Sequence, residues 1–255
     1  MSQYKIVPSS DQNIHIHVTD PEHPTVRYMI NETNQTLFLS EKDLAYHPNK
    51  PTPKDIFKWR VELPNKIKLV CNGGIAKMAV DSFDGSLSVS AGIATIKITR
   101  SQGQFQIDSG MGSIRLNQCR GSFKIFGGQS VVDALHLDIQ GESTFSVNGA
   151  PLYVSLAKTP TNNITLLTGT STGVLDYNGN PIVGSFKFSG EKGKGRIYSP
   201  YPFDTEDIYK DNLKQIRNQN DFGKKVDYLL KNQVIGSSSP EIQFKTSQGS
   251  IVLRK

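Results

Sequence analysis

Apolar and polar residues alternate along the middle of the chain, and this alternation repeats every nine residues. Six consecutive units begin at Ala76, Gly85, Ala94, Gly103, Gly112 and Gly121. In each unit the third and fifth residues are apolar, whereas the second and fourth are mostly polar. Because successive side chains of a strand point to opposite faces, each unit predicts a strand of about five residues followed by a corner of about four.

Glycines mark a second, longer period. Gly92, Gly110 and Gly128 occupy the eighth position of alternate units, and the corners between them contain no glycine. Two alternating corner types predict two strands per coil, with equivalent strands stacked in parallel about 4.8 Å apart. The prediction is an all-β, two-sheet β-solenoid of the single-stranded β-helix or β-roll type, with about 18 residues per coil. A calcium β-roll and an antiparallel sandwich are the alternatives that share this short alternation.

This architecture makes a specific prediction about burial. The third and fifth residues of each unit should be buried, and the second and fourth should face solvent. Phe105 and Phe123 occupy the same position eighteen residues apart, so we expect their rings to stack in adjacent coils.

We expect one domain, 1–255, with irregular ends. The predicted parts are capping strands at 1–60, repeat coils at 61–189, an irregular excursion at 190–240 and a closing strand at 241–255. Within the excursion, residues 204–218 combine an acidic start with apolar Ile208 and Leu213. This pattern fits a short helix and a strand-and-loop segment equally well.

Composition gives little information about the binding partners and the cellular location of the protein. The 255 residues are 36% apolar and carry a formal charge of +6, which weakly favours anionic partners. The two cysteines, Cys71 and Cys119, form no CxxC pair and no disulfide framework. No apolar run has the length of a membrane span, and the first residues lack the apolar core of a secretory signal. We therefore expect either the cytoplasm or export by a signal-less route.

Two stretches resemble a known family. Residues 59–92, "WRVELPNKIKLVCNGGIAKMAVDSFDGSLSVSAG", resemble the opening coils of the bacterial putative-adhesin domain of unknown function, which is related to the head-GIN putative auto-transporter adhesins. "GRIYSPYPF" and the later "GSSSPEIQFKTSQGSIVLRK" are similar to its closing strands. The resemblance covers about residues 60–255 and departs at an insertion near 204–225. It implies a β-solenoid and brings no catalytic residues with it.

Motifs for catalysis and metal binding are weak. "GTSTG" at 169–173 matches the nucleophile-elbow pattern around Ser171, but that motif needs a helix after the serine, and strand and turn residues follow here. His15 and His17 share one face of a strand without further ligands, so we expect no metal and no cofactor. The carboxylates that could act in glycosidic chemistry are Asp133, Asp138 and Glu142.

Cations repeat on one predicted sheet. The candidate anion-binding residues are Lys77, Lys97 and Arg115 on the strands, with Arg100 and Arg120 on the corners. We therefore expect a non-enzymatic surface-binding or scaffold module of the adhesin type. Its expected partner is an acidic polysaccharide or another protein, and self-association is a further expectation. The alternative function is a carbohydrate-active enzyme, a polysaccharide lyase or hydrolase, built on a β-helix frame.

Overall fold

The computed structural model describes residues 2–19, 26–33, 36–43, 58–211 and 226–255. In these ranges the chain is all-β, with nineteen strands and no helix. The strands are β1 (Ser2–Pro8), β2 (His15–Thr19), β3 (Val26–Thr33), β4 (Thr36–Asp43), β5 (Lys58–Leu63), β6 (Ile67–Asp81), β7 (Asp84–Thr99), β8 (Gln102–Asn117), β9 (Arg120–Ile139), β10 (Ser143–Val147), β11 (Leu152–Leu156), β12 (Ile164–Thr168), β13 (Gly173–Asp176), β14 (Gly184–Glu191), β15 (Ile197–Tyr198), β16 (Thr205–Asp211), β17 (Val226–Ile235), β18 (Glu241–Thr246) and β19 (Ile251–Arg254).

The central strands pair in parallel with an offset of eighteen residues. Gly85 of β7 lies opposite Gly103 of β8, which lies opposite Gly121 of β9. The same offset places Lys97 opposite Arg115. Each of β6 to β9 therefore joins two series of pairings, one through its first half and one through its second half.

Both series can be followed across most of the described strands. The first series runs β6–β7–β8–β9–β10–β12–β18–β14–β17–β16. The second series runs β2–β5–β1–β6–β7–β8–β9–β11–β13–β19–β15. Apolar residues from the two series belong to one hydrophobic core, so the sides of both that face away from this core carry the polar residues.

The predicted burial pattern is confirmed. All twelve third and fifth positions of the nine-residue units are buried, from Met78 to Ile125. The second and fourth positions are exposed or half-buried. The rings of Phe105 and Phe123 stack with centroids 5.3 Å apart and planes 9° apart, and Phe145 continues the row at 6.0 Å.

The strands are longer than the nine-residue units predicted. The glycine corners stay within continuous strands of fifteen to twenty residues, whereas the chain leaves the strand conformation at the alternate corners. There a non-glycine residue adopts a left-handed conformation, with φ between 50° and 55°, at Ser82, Arg100 and Gln118. The period of eighteen is therefore visible in the backbone dihedral angles as well as in the sequence.

The ends of the sheet differ from the predicted caps. β3 and β4 form a separate antiparallel hairpin rather than part of the main sheet, which corrects the expectation for that part of 1–60. Residues 241–255 form two strands that each lie between two other strands of the sheet. β18 lies between β12 and β14, and β19 lies between β13 and β15. The expectation of a single closing strand is therefore wrong.

The segment proposed as either helix or strand forms a strand in its described part. β16 covers Thr205–Asp211 and pairs antiparallel with β17, which also pairs antiparallel with β14. Residues 212–218 of the segment lie outside the described residues. Antiparallel strands thus follow the parallel ones at this end of the first series.

Candidate anion-binding face

The predicted cations of the strands lie together on the second series. Lys77, Lys97 and Arg115 are exposed and belong to β6, β7 and β8. Lys97 pairs directly with Arg115 across adjacent strands, and Lys77 pairs with Thr95. Directly paired residues on parallel neighbours are about 4.8 Å apart, so like charges here repel each other by only about 1 kcal/mol in water. The sheet can therefore carry them without a bound ligand.

Strands β1 and β5 extend this surface with cations that the sequence analysis missed. β1 lies between β5 and β6, which places Lys5 opposite Ala79 on one side and Arg60 on the other. Gln3 similarly lies between Lys77 and Lys58. All three added cations are exposed. We call the resulting surface the basic face: Lys5, Lys58, Arg60, Lys77, Lys97 and Arg115.

Several arginines already have carboxylate partners. Arg115 Nε lies 4.0 Å from Asp133 Oδ2, and Arg60 Nε donates to Glu62 Oε1 at 2.8 Å. The two corner residues of the prediction are paired as well, Arg100 with Asp81 at 2.6 Å and Arg120 with Asp138 at 3.5 Å. Such pairs are exposed and each contributes roughly 0–1 kcal/mol, so they reduce the local charge more than they stabilise the fold.

The Arg100–Asp81 pair has the most hydrogen bonds of these. Arg100 donates from Nε and Nη2 to the two carboxylate oxygens of Asp81, and the Thr99 hydroxyl donates to the same group at 2.8 Å. These hydrogen bonds hold the pKa of Asp81 below its usual range. Arg100 therefore links the turn at its own left-handed residue to the adjacent strand.

Four lysines of the basic face have no carboxylate partner within the part of the chain that the structure describes. Among the described residues, no carboxylate lies within 4.0 Å of the amino group of Lys5, Lys58, Lys77 or Lys97. These lysines occupy four adjacent strands, in the order β5, β1, β6 and β7. The centre of available positive charge is therefore shifted toward the N-terminal strands from the position that the sequence indicated.

Two of the three carboxylates considered for glycosidic chemistry are engaged with cations. Asp138 contacts both Arg120 and Lys158, the latter at 3.0 Å, and accepts a hydrogen bond from Gln140. Asp133 is the partner of Arg115. Glu142 is exposed in the loop before β10.

The remaining candidates do not assemble into sites. Ser171 lies in the bend between β12 and β13, so a strand follows it instead of the helix that a nucleophile elbow requires. His15 Nε2 contacts Asp11 at 2.9 Å, and the described part of the chain holds no cluster of three or more metal-ligating side chains. Both cysteines are free thiols, and burial raises the pKa of Cys71 to about 12. In the described ranges there is no apolar helix of membrane-spanning length.

Comparison with known proteins adds little to this picture. No family model matches the chain, and no curated protein matches it. One solved structure, described as a "putative cell adhesion protein from Clostridium sporogenes ATCC 15579", aligns over 99% of this chain and 87% of its own, with 11% identity and a TM-score of 0.24. A likeness this weak carries no argument about function. The family resemblance drawn from the sequence is therefore not shown.

Proposed function

We propose that this protein is a non-enzymatic β-solenoid module that binds an acidic polysaccharide on its basic face. The observation that carries the proposal is the insertion of β1 between β5 and β6. It groups lysines from four neighbouring strands on one surface, although they are distant in sequence. The adhesin-like role expected from the sequence is the biological setting in which such binding would be used.

The solenoid part of the proposal is supported by register and burial. Three successive parallel pairings keep the same offset of eighteen residues without slipping. The first and second halves of each long strand bury their apolar side chains in one core, as Leu87 and Ile96 of β7 do. Two strands per coil, with about 18 residues per coil, are the simplest arrangement with both properties.

The binding part is supported by the spacing of the charges. Cations that recur on a flat sheet at a rise of about 4.8 Å can meet anions that recur along an extended polymer. Each contact is weak alone, but contacts made along one chain add. Because such binding displaces counterions, its affinity should fall with added salt, by about tenfold or more between 50 mM and 150 mM for about four lysine contacts.

The test is a binding titration with polygalacturonate and with heparin at low and physiological salt. Lys5→Glu/Lys77→Glu and Lys97→Glu/Arg115→Glu should both lose most of the affinity. Lys192→Glu/Lys194→Glu changes two lysines in the turn after β14 and is the control that should bind as the wild type does. Equal binding by all variants, or no binding by the wild type at low salt, would refute the proposal. Binding to single-stranded DNA alone would exclude the polysaccharide.

The carbohydrate-active enzyme remains the alternative, and no observation favours it. Its carboxylates would come from Asp133, Asp138 and Glu142, and the first two are ion-paired. The two functions are separated by incubating the protein with the polymer that it binds. Release of reducing ends or unsaturated sugars by the wild type, and its loss in Asp138→Asn, would show that the protein is an enzyme and not a binding module.

A further inference from the structure

A shallow cavity of about 290 Å³ lies on the first series, away from the basic face. It is lined by Lys187, Ser189, Leu230, Gln243 and Lys245, which belong to β14, β17 and β18. The register explains the hollow, because Ser189 lies between Lys245 on one neighbouring strand and Leu230 on the other. Its short side chain, 7% exposed, forms a floor between longer neighbours.

The charge of the cavity is close to one positive unit. Lys187 Nζ donates to Glu241 Oε2 at 2.6 Å, so these two charges offset each other. Lys245 has no carboxylate within 4.0 Å in the part of the chain that the structure describes. The ammonium group of Lys245 is therefore available to one anionic group of a ligand.

The hydrogen-bonding groups of the cavity also divide into those that have a partner within the protein and those that are available to a ligand. Gln243 lines the cavity and donates from Nε2 to Glu241 Oε1 at 2.5 Å, which leaves its side-chain carbonyl oxygen as an acceptor. Among the described residues, the hydroxyl of Ser189 has no hydrogen-bond partner. Leu230 supplies an apolar wall beside these polar groups. The cavity thus combines one cation, one acceptor, one hydroxyl and one apolar surface.

We propose that this cavity binds a sugar acid through a single carboxylate. The carboxylate pairs with Lys245, a sugar hydroxyl donates to the Gln243 carbonyl oxygen, and Ser189 bonds a second oxygen. The C–H face of the ring packs on Leu230. The volume lies just below the range of about 300–1,000 Å³ that is usual for drug-sized ligands, so it suits one sugar unit. The single net positive charge of the cavity matches the single negative charge of a carboxylate.

The test is isothermal titration calorimetry with D-glucuronate as the probe, and with D-glucose for comparison. Glucuronate should bind with millimolar or better affinity, and glucose, which lacks the carboxylate, should bind at least about tenfold more weakly. Lys245→Gln should weaken glucuronate binding about tenfold, and Ser189→Ala about threefold to fivefold, because each loses one polar contact. Lys124→Gln, which changes an exposed lysine of β9 outside both proposed sites, is the control that should bind glucuronate normally.

Three results would overturn the proposal: no saturable binding of glucuronate up to about 10 mM, equal affinity for glucose, or unchanged affinity in Lys245→Gln. Circular dichroism and thermal unfolding show that each variant is folded. The outcome is independent of the proposed function, since Lys245→Gln leaves the basic face intact. If Lys245→Gln loses glucuronate binding but still binds polygalacturonate, the two sites are distinct. The proposal for the cavity and the proposal for the basic face can then fail independently.

Discussion

Two tyrosines, one in β11 and one directly after β13, differ in what their hydroxyl groups contact. Tyr153 donates to Asp176 Oδ2 at 2.7 Å. Tyr177 is fully buried, and within the described residues its hydroxyl has no hydrogen-bond partner. Its ring packs against Phe186 at 6.3 Å, and burial raises the pKa of its phenol well above the usual value. The ring of Tyr177 therefore stabilises the core while its oxygen opposes burial.

Removing the two hydroxyl groups should have opposite effects. Tyr177→Phe should leave the free energy of unfolding unchanged or raise it by up to about 1 kcal/mol, because an unpaired buried group is removed. Tyr153→Phe should lower it by about 0.5–1.5 kcal/mol, because a hydrogen bond to a carboxylate is lost. Denaturant unfolding of both variants measures the difference. A clear loss of stability in Tyr177→Phe would mean that its hydroxyl has a partner, such as a buried water.

The pairing of the arginines could have been predicted from the sequence and was not. The offset of eighteen residues correctly placed Lys97 beside Arg115. The same offset links Arg115 to Asp133 and Arg120 to Asp138, and both pairs exist. The lysines of β1 and β5 were a different case, because the residues there alternate without a period that links them to the central strands. Their position depends on strand order, which alternation does not encode.

At the level of the strands, glycine is required where adjacent strands approach each other closely. Gly103 has φ of +130°, and a Cβ atom there would lie 1.8 Å from the carbonyl oxygen of Gly85 on the adjacent strand. Gly74, in contrast, has an ordinary backbone conformation and open space around the position of a Cβ atom. The repeated glycines of the sequence thus have different roles, which composition alone does not separate.

Alanine at these two glycines should separate those roles. Gly103→Ala should destabilise the protein by at least about 2 kcal/mol, because both the backbone conformation and the adjacent carbonyl oppose a side chain. Gly74→Ala should change stability by less than about 0.5 kcal/mol. Thermal unfolding of the two variants under the same conditions gives the comparison. Similar melting temperatures would contradict the close approach of β7 and β8 at Gly103.

For the whole molecule, alternation predicted which side chains are buried but not which strands are neighbours. β14 begins at Gly184, within the stretch 61–189 that was predicted to form repeat coils. In the structure the strand that follows β12 in the first series is β18, and β14 comes after it. Strands with the same alternating pattern fit either place, so the order depends on loop lengths and side-chain packing across the core.

Deleting residues 241–255 should disrupt this end of the protein. β12 and β13 lose a parallel neighbour, and the buried Phe244 and Ile251 are removed from the core. Backbone amides of β12 to β14 should exchange with deuterium at least about tenfold faster, while those of β7 and β8 keep their protection. Removing Lys255 alone is the control. Unchanged exchange in β12 would mean that β14 can take the place of β18 directly.

The insertion of β1, β18 and β19 between other strands has a consequence for how the protein is made. β1 is synthesised before β5 and β6, and these neighbours are complete only when the ribosome has reached residue 81. Similarly, β14 and β15 are made before the two strands on which they stack. The sheet therefore cannot grow strand by strand as the chain emerges, and contacts between distant segments make such folding slow. The pairings of β14 with β18 and of β15 with β19 form only after those last two strands have been synthesised.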